Sequence, residues 1–392
     1  INLKVLKFPS GTKINDWTVP MEWRIKDAFI LTPNKKKICD IKKNNLHVVN
    51  YSIPVKKKIL KQDLEKYLYS IPKFPEAIPY ITSYYKKRWG FCIAHSQREK
   101  LKNGTYSVLI DSSLKKGFIP VAESLLKGKS PKEILFTSYI CHPSMANDQL
   151  SGPLTLLLLY QRLKKKKNRR FSYRFAFMPE TIGSICYLNR KYEQLKKNMI
   201  GGYIVSLTGG DGPIVYRTSR QKNSLADSIV QRNLNHSKFS IENFNPSSGN
   251  DQRQFCSPGY DLPVGSITYT KQKKTEEYHT SKDDLDFISQ KNIIKITDFC
   301  EKLINDYEKL KIYKNLKGFG EPFLSKYKLY PDIGKSSSIN SLNQLTKTIM
   351  WLLNLSDGYK DLFMVSERSK ISVDQLKKAV EICLKKKIIK EI

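Results

Sequence analysis

Two histidines stand near acidic residues in segments that glycine or proline marks as loops. His142 lies six positions before Asp148. His279 precedes three aspartates, Asp283, Asp284 and Asp286. Imidazole and carboxylate groups together form the ligand sets that hold a hydrolytic zinc ion. This spacing predicts a metal site if the fold brings the two segments together.

Three further charged residues lie between these segments. Glu180 follows a Met-Pro pair, where a carboxylate could bind metal or act as a general base on water. The structural alternative for Glu180 is a helix-start residue stabilised by the helix dipole. Asp251 and Arg253 form a second candidate, because an arginine can bind a substrate carboxylate in bidentate fashion. Their alternative is a surface ion pair.

The histidine segments also have structural alternatives. His142 could bond a loop carbonyl while Asp148 caps a helix, and the aspartates after His279 could form a solvated capping turn. If His279 is a ligand, one of those aspartates could orient its ring through the second nitrogen. We expect His47 and His95 to be structural, His236 to be a loop residue and Cys141 to be a packing residue.

The elements that position these residues alternate between strands and helices. Apolar runs predict buried strands over residues 133–141, 173–178, 200–207 and 262–269, and periodic segments predict helices over residues 152–166, 182–196, 226–235 and 289–311. This alternation indicates a largely parallel sheet covered by helices. The candidate residues follow three of these strands and lead into the fourth. Because parallel strands end at one edge of a sheet, the candidate residues should converge there.

The regions before and after this alternating part show different sequence patterns. Residues 1–112 carry strand-like stretches punctuated by turn signals, which predicts a β-rich part. A loop rich in Gly, Pro and Ser over residues 317–338 predicts a linker. Three helices are then expected over residues 341–353, 359–366 and 372–385.

Composition narrows the class of protein. The chain has 392 residues, 40% of them hydrophobic, and a formal net charge of +33. Its lysines are spread along the chain, which favours a compositional bias over a nucleic-acid or membrane patch, although anionic partners are favoured. Seven cysteines without a Cys-x-x-Cys pair predict reduced thiols and a cytoplasmic protein. No signal peptide or transmembrane segment is visible, and the start at Ile1 indicates a truncated N-terminus.

Four strings together resemble a known group. These strings are Cys141-His-Pro-Ser-Met-Ala-Asn-Asp148, Pro179-Glu-Thr-Ile-Gly-Ser184, Asp251-Gln-Arg-Gln-Phe-Cys-Ser-Pro-Gly259 and Tyr278-His-Thr-Ser-Lys-Asp-Asp-Leu-Asp286. They are similar to the DUF4910 aminopeptidase-like proteins, which carry an inserted DUF2172 domain and a C-terminal winged helix. Residues 8–23 and 78–85 resemble the insert. The resemblance implies a core starting in residues 1–14, an insert over 15–112, the core again over 113–325 and a winged helix-turn-helix over 326–392. The expected fold is a three-layer α/β/α phosphorylase/hydrolase-like core with these two additions.

The core resembles in turn the M28 zinc aminopeptidases. Their metal-bridging aspartate corresponds to Asp148, and two of their histidine ligands correspond to His142 and His279. Their Glu-Glu pair, a general base followed by a ligand, corresponds only to Glu180, so one of the two carboxylate roles is missing or supplied elsewhere, and Glu180 is the candidate for either. Their further aspartate ligand would fall near residues 206–208, where no acid stands. The resemblance thus implies one Zn²⁺ in preference to two.

The function implied is zinc-dependent hydrolysis of an amide or peptide bond in a small peptide-like or amide-bearing substrate. Since the group tends to be linked with surface-glycan genes, the substrate expected is an amino-acid or amino-sugar conjugate. The alternative is a DNA-binding or ligand-sensing regulator whose peptidase-like core is catalytically degenerate, with nucleic acid bound through residues 339–392. The resemblance equally implies that the winged helix is a packing or oligomerisation module, so a homo-oligomer is a further alternative.

Overall fold

A mixed eight-stranded sheet forms the centre of the molecule. The computed structural model describes residues 1–234, 239–248, 250–269, 275–330 and 344–392. Along the chain the strands of this sheet are β1 (Lys4–Pro9), β2 (Phe118–Leu126), β3 (Glu133–Tyr139), β4 (Ser172–Met178), β5 (Met199–Val205), β6 (Ile214–Arg217), β7 (Phe239–Glu242) and β8 (Val264–Tyr269). They lie in the order β1-β2-β4-β3-β5-β8-β6-β7. The four central strands, β4, β3, β5 and β8, run parallel to one another.

Helices cover both faces of this sheet. Strands β3, β4 and β5 are buried along their whole length, as expected of parallel strands covered on both sides. One core cluster joins the sheet to helices Gly152–Lys165, Leu225–Arg232 and Gln290–Lys309. The other joins it to helix Ile182–Asn198 and the short helix Gln252–Phe255. The predicted three-layer α/β/α class is confirmed.

The β-rich part is inserted between β1 and β2. Its main antiparallel sheet has the strand order Lys37–Ile38, Glu22–Leu31, Thr105–Lys115 and Val55–Leu60. Smaller elements are the hairpin Lys13–Ile14 with Trp17–Thr18, the strand pair Leu68–Tyr69 with Phe91–Cys92, and the helices Lys61–Leu64 and His95–Glu99. The insert has its own apolar core, and β1 and β2 close its base by pairing antiparallel. It is therefore an excursion from one edge of the central sheet.

The C-terminal unit is a winged helix-turn-helix. Its helices are Gln344–Leu355, Leu362–Ser369 and Val373–Lys385. Its antiparallel sheet has the order Asp357–Asp361, Ile312–Asn315 and Ile389–Glu391. Strand Ile312–Asn315 lies upstream of the predicted start at residue 326, because it completes this sheet between two later strands. The middle helix starts at Leu362 and not at 359, because residues 357–361 form a strand and Asp361 then caps the helix.

Part of the predicted linker is structured. Within residues 317–338, the turn Leu324–Tyr327 packs into the core of the C-terminal unit. Residues 331–343 lie outside the described part of the chain. Arg232 joins this unit to the central sheet's helices through a bidentate ion pair with the buried Asp361, at 2.6 and 2.8 Å. None of the helices in the described ranges combines the length and apolarity needed to cross a bilayer.

Candidate metal centre

The candidate residues stand where central strands end. Strand β3 ends at Tyr139, and His142 and Asp148 follow in the loop and irregular turn that lead into helix Gly152–Lys165. Strand β4 ends at Met178, directly before Glu180. His279 lies after β8 in sequence, beyond residues 270–274, which fall outside the described ranges. The carboxyl ends of these parallel strands share one edge of the sheet, which is where such folds hold their ligands.

The structure brings His142, Asp148 and His279 together. One ligand atom from each of them lies within 4.8 Å of the others. Nε2 of His279 is 2.9 Å from Oδ2 of Asp148, and the two imidazole rings stack with centroids 5.2 Å apart. Tetrahedral zinc ligands with bonds of about 2.1 Å stand roughly 3.4 Å from one another. The three side chains are therefore of types that zinc binds and lie close enough together to share one ion.

Asp148 is held for this role by its neighbours. The hydroxyl of Tyr139 donates to its Oδ1. Its Oδ2 is buried and, within the described residues, accepts no hydrogen bond. A buried carboxylate oxygen without a hydrogen bond is costly unless a cation faces it. This oxygen faces Nε2 of His279 at 2.9 Å without a hydrogen bond between them, an arrangement that a metal ion bound by both atoms would satisfy.

Asp283 shapes the turn that carries Asp148. Its two carboxylate oxygens accept the backbone N–H groups of Asn147 at 2.5 Å and of Asp148 at 2.8 Å. Asp284 accepts the N–H groups of Asp286 and Phe287 in its own turn. The carboxylates of Asp283 and Asp284 thus bind backbone amides of their own loop and of the Asp148 turn, and the orientation of His279 by one of the three aspartates stays a prediction. Such amide contacts leave no sequence signal.

Glu180 lies beside this group on a strained turn. Its Oε2 is 3.9 Å from Nε2 of His142. The next residue, Thr181, has a left-handed φ of 63°, and its N–H donates to Oδ1 of Asp251 over 2.6 Å. Asp251 thus anchors the backbone that presents Glu180. Strain of this kind persists only where surrounding contacts enforce it.

Burial and like charge perturb the acids of the site. Burial raises the pKa of Glu180 to about 8, with Asp251 and Asp148 adding to the rise and Arg253 opposing it. Burial also raises the pKa of Asp251 to about 6. The Nε of Arg253 is buried and has no hydrogen-bond partner among the described residues. The positive charge of Arg253 acts on both Glu180 and Asp251, whose pKa values it lowers against the effect of burial.

His142 and Cys141 are both kept neutral by burial. Burial lowers the pKa of His142 below its ordinary value of 6.5, and His279 adds to that effect while Asp148 opposes it. A neutral imidazole is the form that binds metal. Burial also raises the pKa of Cys141 well above 9.0. Its sulfur accepts the N–H of Glu180 at 3.2 Å, which fits the predicted packing role and not a thiolate nucleophile.

The insert supplies a side chain that sequence reasoning missed. The ring of Tyr80 lies against His142 and His279, with centroid separations of 5.3 and 5.4 Å. On the core side, Tyr278 stacks on His279 at 4.0 Å. Nothing in the sequence places Tyr80 near these histidines, since Tyr80 is far from both of them along the chain. Aromatic walls of this kind restrict the access of water to a site.

His47 and His95 make structural hydrogen bonds within the insert, as predicted. Nδ1 of the buried His47 bonds the carbonyl oxygen of Cys92 at 2.8 Å. Nδ1 of His95 bonds the hydroxyl of Ser70 at 2.9 Å. His236 lies outside the described residues.

Family comparisons cover nearly the whole chain. Residues 1–309 match the family described as a domain of unknown function, DUF4910. Residues 311–391 match a winged helix-turn-helix family. A protein of Clostridium acetobutylicum is 38% identical over 392 residues, which is 100% of this chain and 89% of that protein. It is provisionally named a polysaccharide biosynthesis protein with aminopeptidase-like domain.

Solved structures share the fold. A crystal structure from Clostridium acetobutylicum, provisionally described as a peptidase, superposes with a TM-score of 0.78 at 36% identity, over 100% of this chain and 89% of that one. A zinc aminopeptidase from Bacillus subtilis gives a TM-score of 0.57 at 12% identity, over 78% and 84% of the two chains. A peptidase M28 precursor from Shewanella amazonensis gives 0.53 at 14% identity, over 77% and 83%. The last two comparisons establish an aminopeptidase-like fold for the core.

Proposed function

We propose that this chain, which belongs to the DUF4910 family, is a zinc-dependent hydrolase of an amide or peptide bond. The observation that carries this proposal is the convergence of His142, Asp148 and His279, with the buried Oδ2 of Asp148 left without a hydrogen bond. Two imidazoles and one carboxylate are a ligand set of catalytic zinc sites, which keep one position open for water or substrate. The fold of the core agrees with this assignment.

We infer one zinc ion in preference to two. Ser206 and Thr208 follow β5 at the same edge of the sheet and carry no carboxylate, so a second ion would lack a ligand there. When bound, the zinc supplies Lewis acidity toward a carbonyl oxygen and toward water. The side chains of the chain itself supply the remaining chemistry.

Glu180 is the proposed general base. The three donors of His142, Asp148 and His279 suffice for a catalytic zinc, which leaves the Glu180 carboxylate free. In this role its Oε2 takes a proton from the attacking water and delivers it to the departing amide nitrogen. A fourth ligand role is the alternative, since Glu180 also groups with Cys141 and His142.

Arg253 and Asp251 have different proposed roles in substrate binding. The Arg253 guanidinium, with its buried Nε free of partners among the described residues, binds an anionic or carbonyl group of the substrate. Asp251 supports the substrate side through the Thr181 turn, whose backbone N–H its Oδ1 accepts. The name of the Clostridium acetobutylicum relative supports an amino-acid or amino-sugar conjugate of a surface glycan as substrate. The seven free cysteines support a reducing, cytoplasmic setting.

Metal content tests this proposal most directly. We expect elemental analysis to find about one zinc per purified chain, and at least a tenfold loss of affinity in His142→Ala and His279→Ala. His95→Gln, a histidine of the insert, is the matched control and should retain the metal. Hydrolysis of amino-acid p-nitroanilides should follow the zinc content. Unchanged metal in both alanine variants would remove the site.

Nucleic-acid binding is a second candidate function. Helix Val373–Lys385 of the winged helix carries exposed lysines at 377 and 378, and three more follow at 385–387. Such a basic face suits a phosphate backbone. Lys378→Glu with Lys385→Glu should abolish salt-dependent binding of duplex DNA. Undetectable binding by the wild type at low salt would dismiss this function.

A further inference from the structure

Three large aromatic side chains of the insert are exposed together. Trp17, Tyr84 and Tyr85 are 38%, 44% and 54% exposed. The rings of Trp17 and Tyr85 are in contact, with centroids 6.5 Å apart, and Tyr84 is the neighbour of Tyr85 in sequence. We call these three residues the aromatic rim. Single exposed apolar residues are ordinary, whereas contiguous ones mark binding surfaces.

The aromatic rim is braced from beneath. Tyr51 packs edge-on against Tyr84 at 5.4 Å and stacks on Trp23 at 6.0 Å. The indole N–H of Trp23 donates to the carbonyl oxygen of Ser52 at 2.9 Å. The hydroxyl of Tyr85 donates to the carbonyl oxygen of Thr18 at 2.6 Å, which ties the rim to the hairpin that carries Trp17. Rings fixed in this way lose little conformational entropy when a ligand binds.

The aromatic rim adjoins the candidate metal centre. Tyr84 lies four residues beyond Tyr80 on one segment of the insert. Asn50 holds this segment, because its N–H donates to the carbonyl oxygen of Ile81 at 2.9 Å and its own carbonyl oxygen accepts the N–H of Ser83 at 3.1 Å. Tyr80 lies between the aromatic rim and the metal centre, because its ring contacts both His142 and His279. The aromatic side chains of the insert therefore extend from the rim to the candidate metal centre.

We propose that the aromatic rim is a saccharide-binding subsite that holds a pyranose ring of the substrate next to the metal centre. An apolar amino-acid side chain gains affinity mainly in an enclosed, dry pocket, and the rim is too open for that. A pyranose is amphipathic. Its C–H face packs on an aromatic ring while its hydroxyl groups stay in water or bond the tyrosine hydroxyls. The inference rests on the proposed function only in taking the metal centre as the reacting end.

The test measures binding and needs no turnover. Maltotriose, tri-N-acetylchitotriose and trigalacturonic acid are titrated into the full chain after zinc removal, and ligand-observed NMR reports the dissociation constants. At least one of them should bind. Tyr84→Ala and Tyr85→Ala should each weaken that binding by about three- to tenfold, as expected for one aromatic contact. Tyr84→Phe should preserve most of it.

Tyr359→Ala is the matched control, since Tyr359 in the winged helix is 45% exposed and far from the rim in sequence. It should bind as the wild type does. The proposal is overturned if none of the three saccharides binds, or if Tyr84→Ala and Tyr85→Ala leave binding unchanged. It is also overturned if L-phenylalanine amide alone binds at the rim. Because zinc is absent throughout, a failed hydrolase assay and a failed saccharide titration remain separate results.

Discussion

The backbone N–H of Tyr80 donates to the carbonyl oxygen of His279 over 2.8 Å. This bond joins the insert to the loop that carries a proposed zinc ligand. Neighbouring contacts extend it, because Ser281 donates its N–H to the carbonyl oxygen of Ile78 at 2.9 Å. His279 itself has a left-handed φ of 58°, which a non-glycine residue adopts only when its surroundings enforce it. The insert is therefore part of the site's construction.

Substitutions of Tyr80 should distinguish the contribution of its ring to zinc affinity from the contribution of its backbone N–H. We expect Tyr80→Phe to bind zinc as the wild type does. Tyr80→Ala loses the ring that packs on both histidines and should weaken zinc affinity by about tenfold. Tyr80→Pro also loses the N–H donor and should weaken it by up to about 100-fold, as for other residues that support ligands. Competition with a chromogenic chelator measures these affinities. Equal affinity in all three variants would show that the insert does not position His279.

Replacement of Glu180 should distinguish the base from the ligand. As a general base, Glu180→Gln should retain zinc and lose about 10²- to 10⁴-fold in turnover of an amino-acid anilide. Glu193→Gln, an exposed glutamate of helix Ile182–Asn198, serves as the control and should keep full activity. Loss of zinc in Glu180→Gln would instead assign the carboxylate as a ligand.

The stability of the zinc-free protein should fall as the pH rises toward 8. Glu180 has a pKa of about 8 in the folded chain against an ordinary value of 4.5, so between these values the unfolded state binds fewer protons and folding loses free energy. The raised pKa values of Asp251 and Asp283, both about 6, act in the same direction at lower pH. Urea denaturation between pH 7 and 8, above the pKa of both aspartates, should therefore report mainly on Glu180.

Two variants complete that measurement. Glu180→Gln should flatten the pH dependence between 7 and 8, while Glu193→Gln should leave it unchanged. Added zinc should also flatten it, because a nearby cation favours the ionised carboxylate. A slope that persists in Glu180→Gln would contradict the assignment.

Removal of the Asp283 carboxylate should loosen the turn that carries Asp148. Asp283→Ala leaves two buried amide groups without their acceptor, at a cost of about 1–3 kcal/mol for each group. We expect a loss of about 2–5 kcal/mol in the free energy of unfolding, measured by urea denaturation in EDTA. Asp286→Ala, on the exposed part of the same loop, should change stability by less than about 0.5 kcal/mol. Similar stability of the two variants would dismiss the bracing role.

Local sequence pattern was sufficient for the centre of the fold and failed at its margins. Strands β3, β4 and β5 are rich in apolar residues, as burial on both faces of a parallel sheet favours, so their positions could be predicted to within about two residues. Strands β1, β2, β6 and β7 mix polar and apolar residues, and each exists because a neighbouring strand offers it hydrogen-bonding partners. Strand Ile312–Asn315 is of the same kind, since its partners come from the end of the chain.

The candidate site likewise has a part that the sequence predicted and a part that it did not. The sequence by itself determined which groups could bind metal, because His142, Asp148 and Glu180 each follow a strand whose end must lie at one edge of the sheet. Only the tertiary structure decided that Tyr80 closes over the histidines, that Asp283 binds the Asp148 turn, and that Asp251 anchors Thr181. Strand-end positions follow from short-range periodicity, whereas these contacts depend on the packing of segments that are remote in sequence.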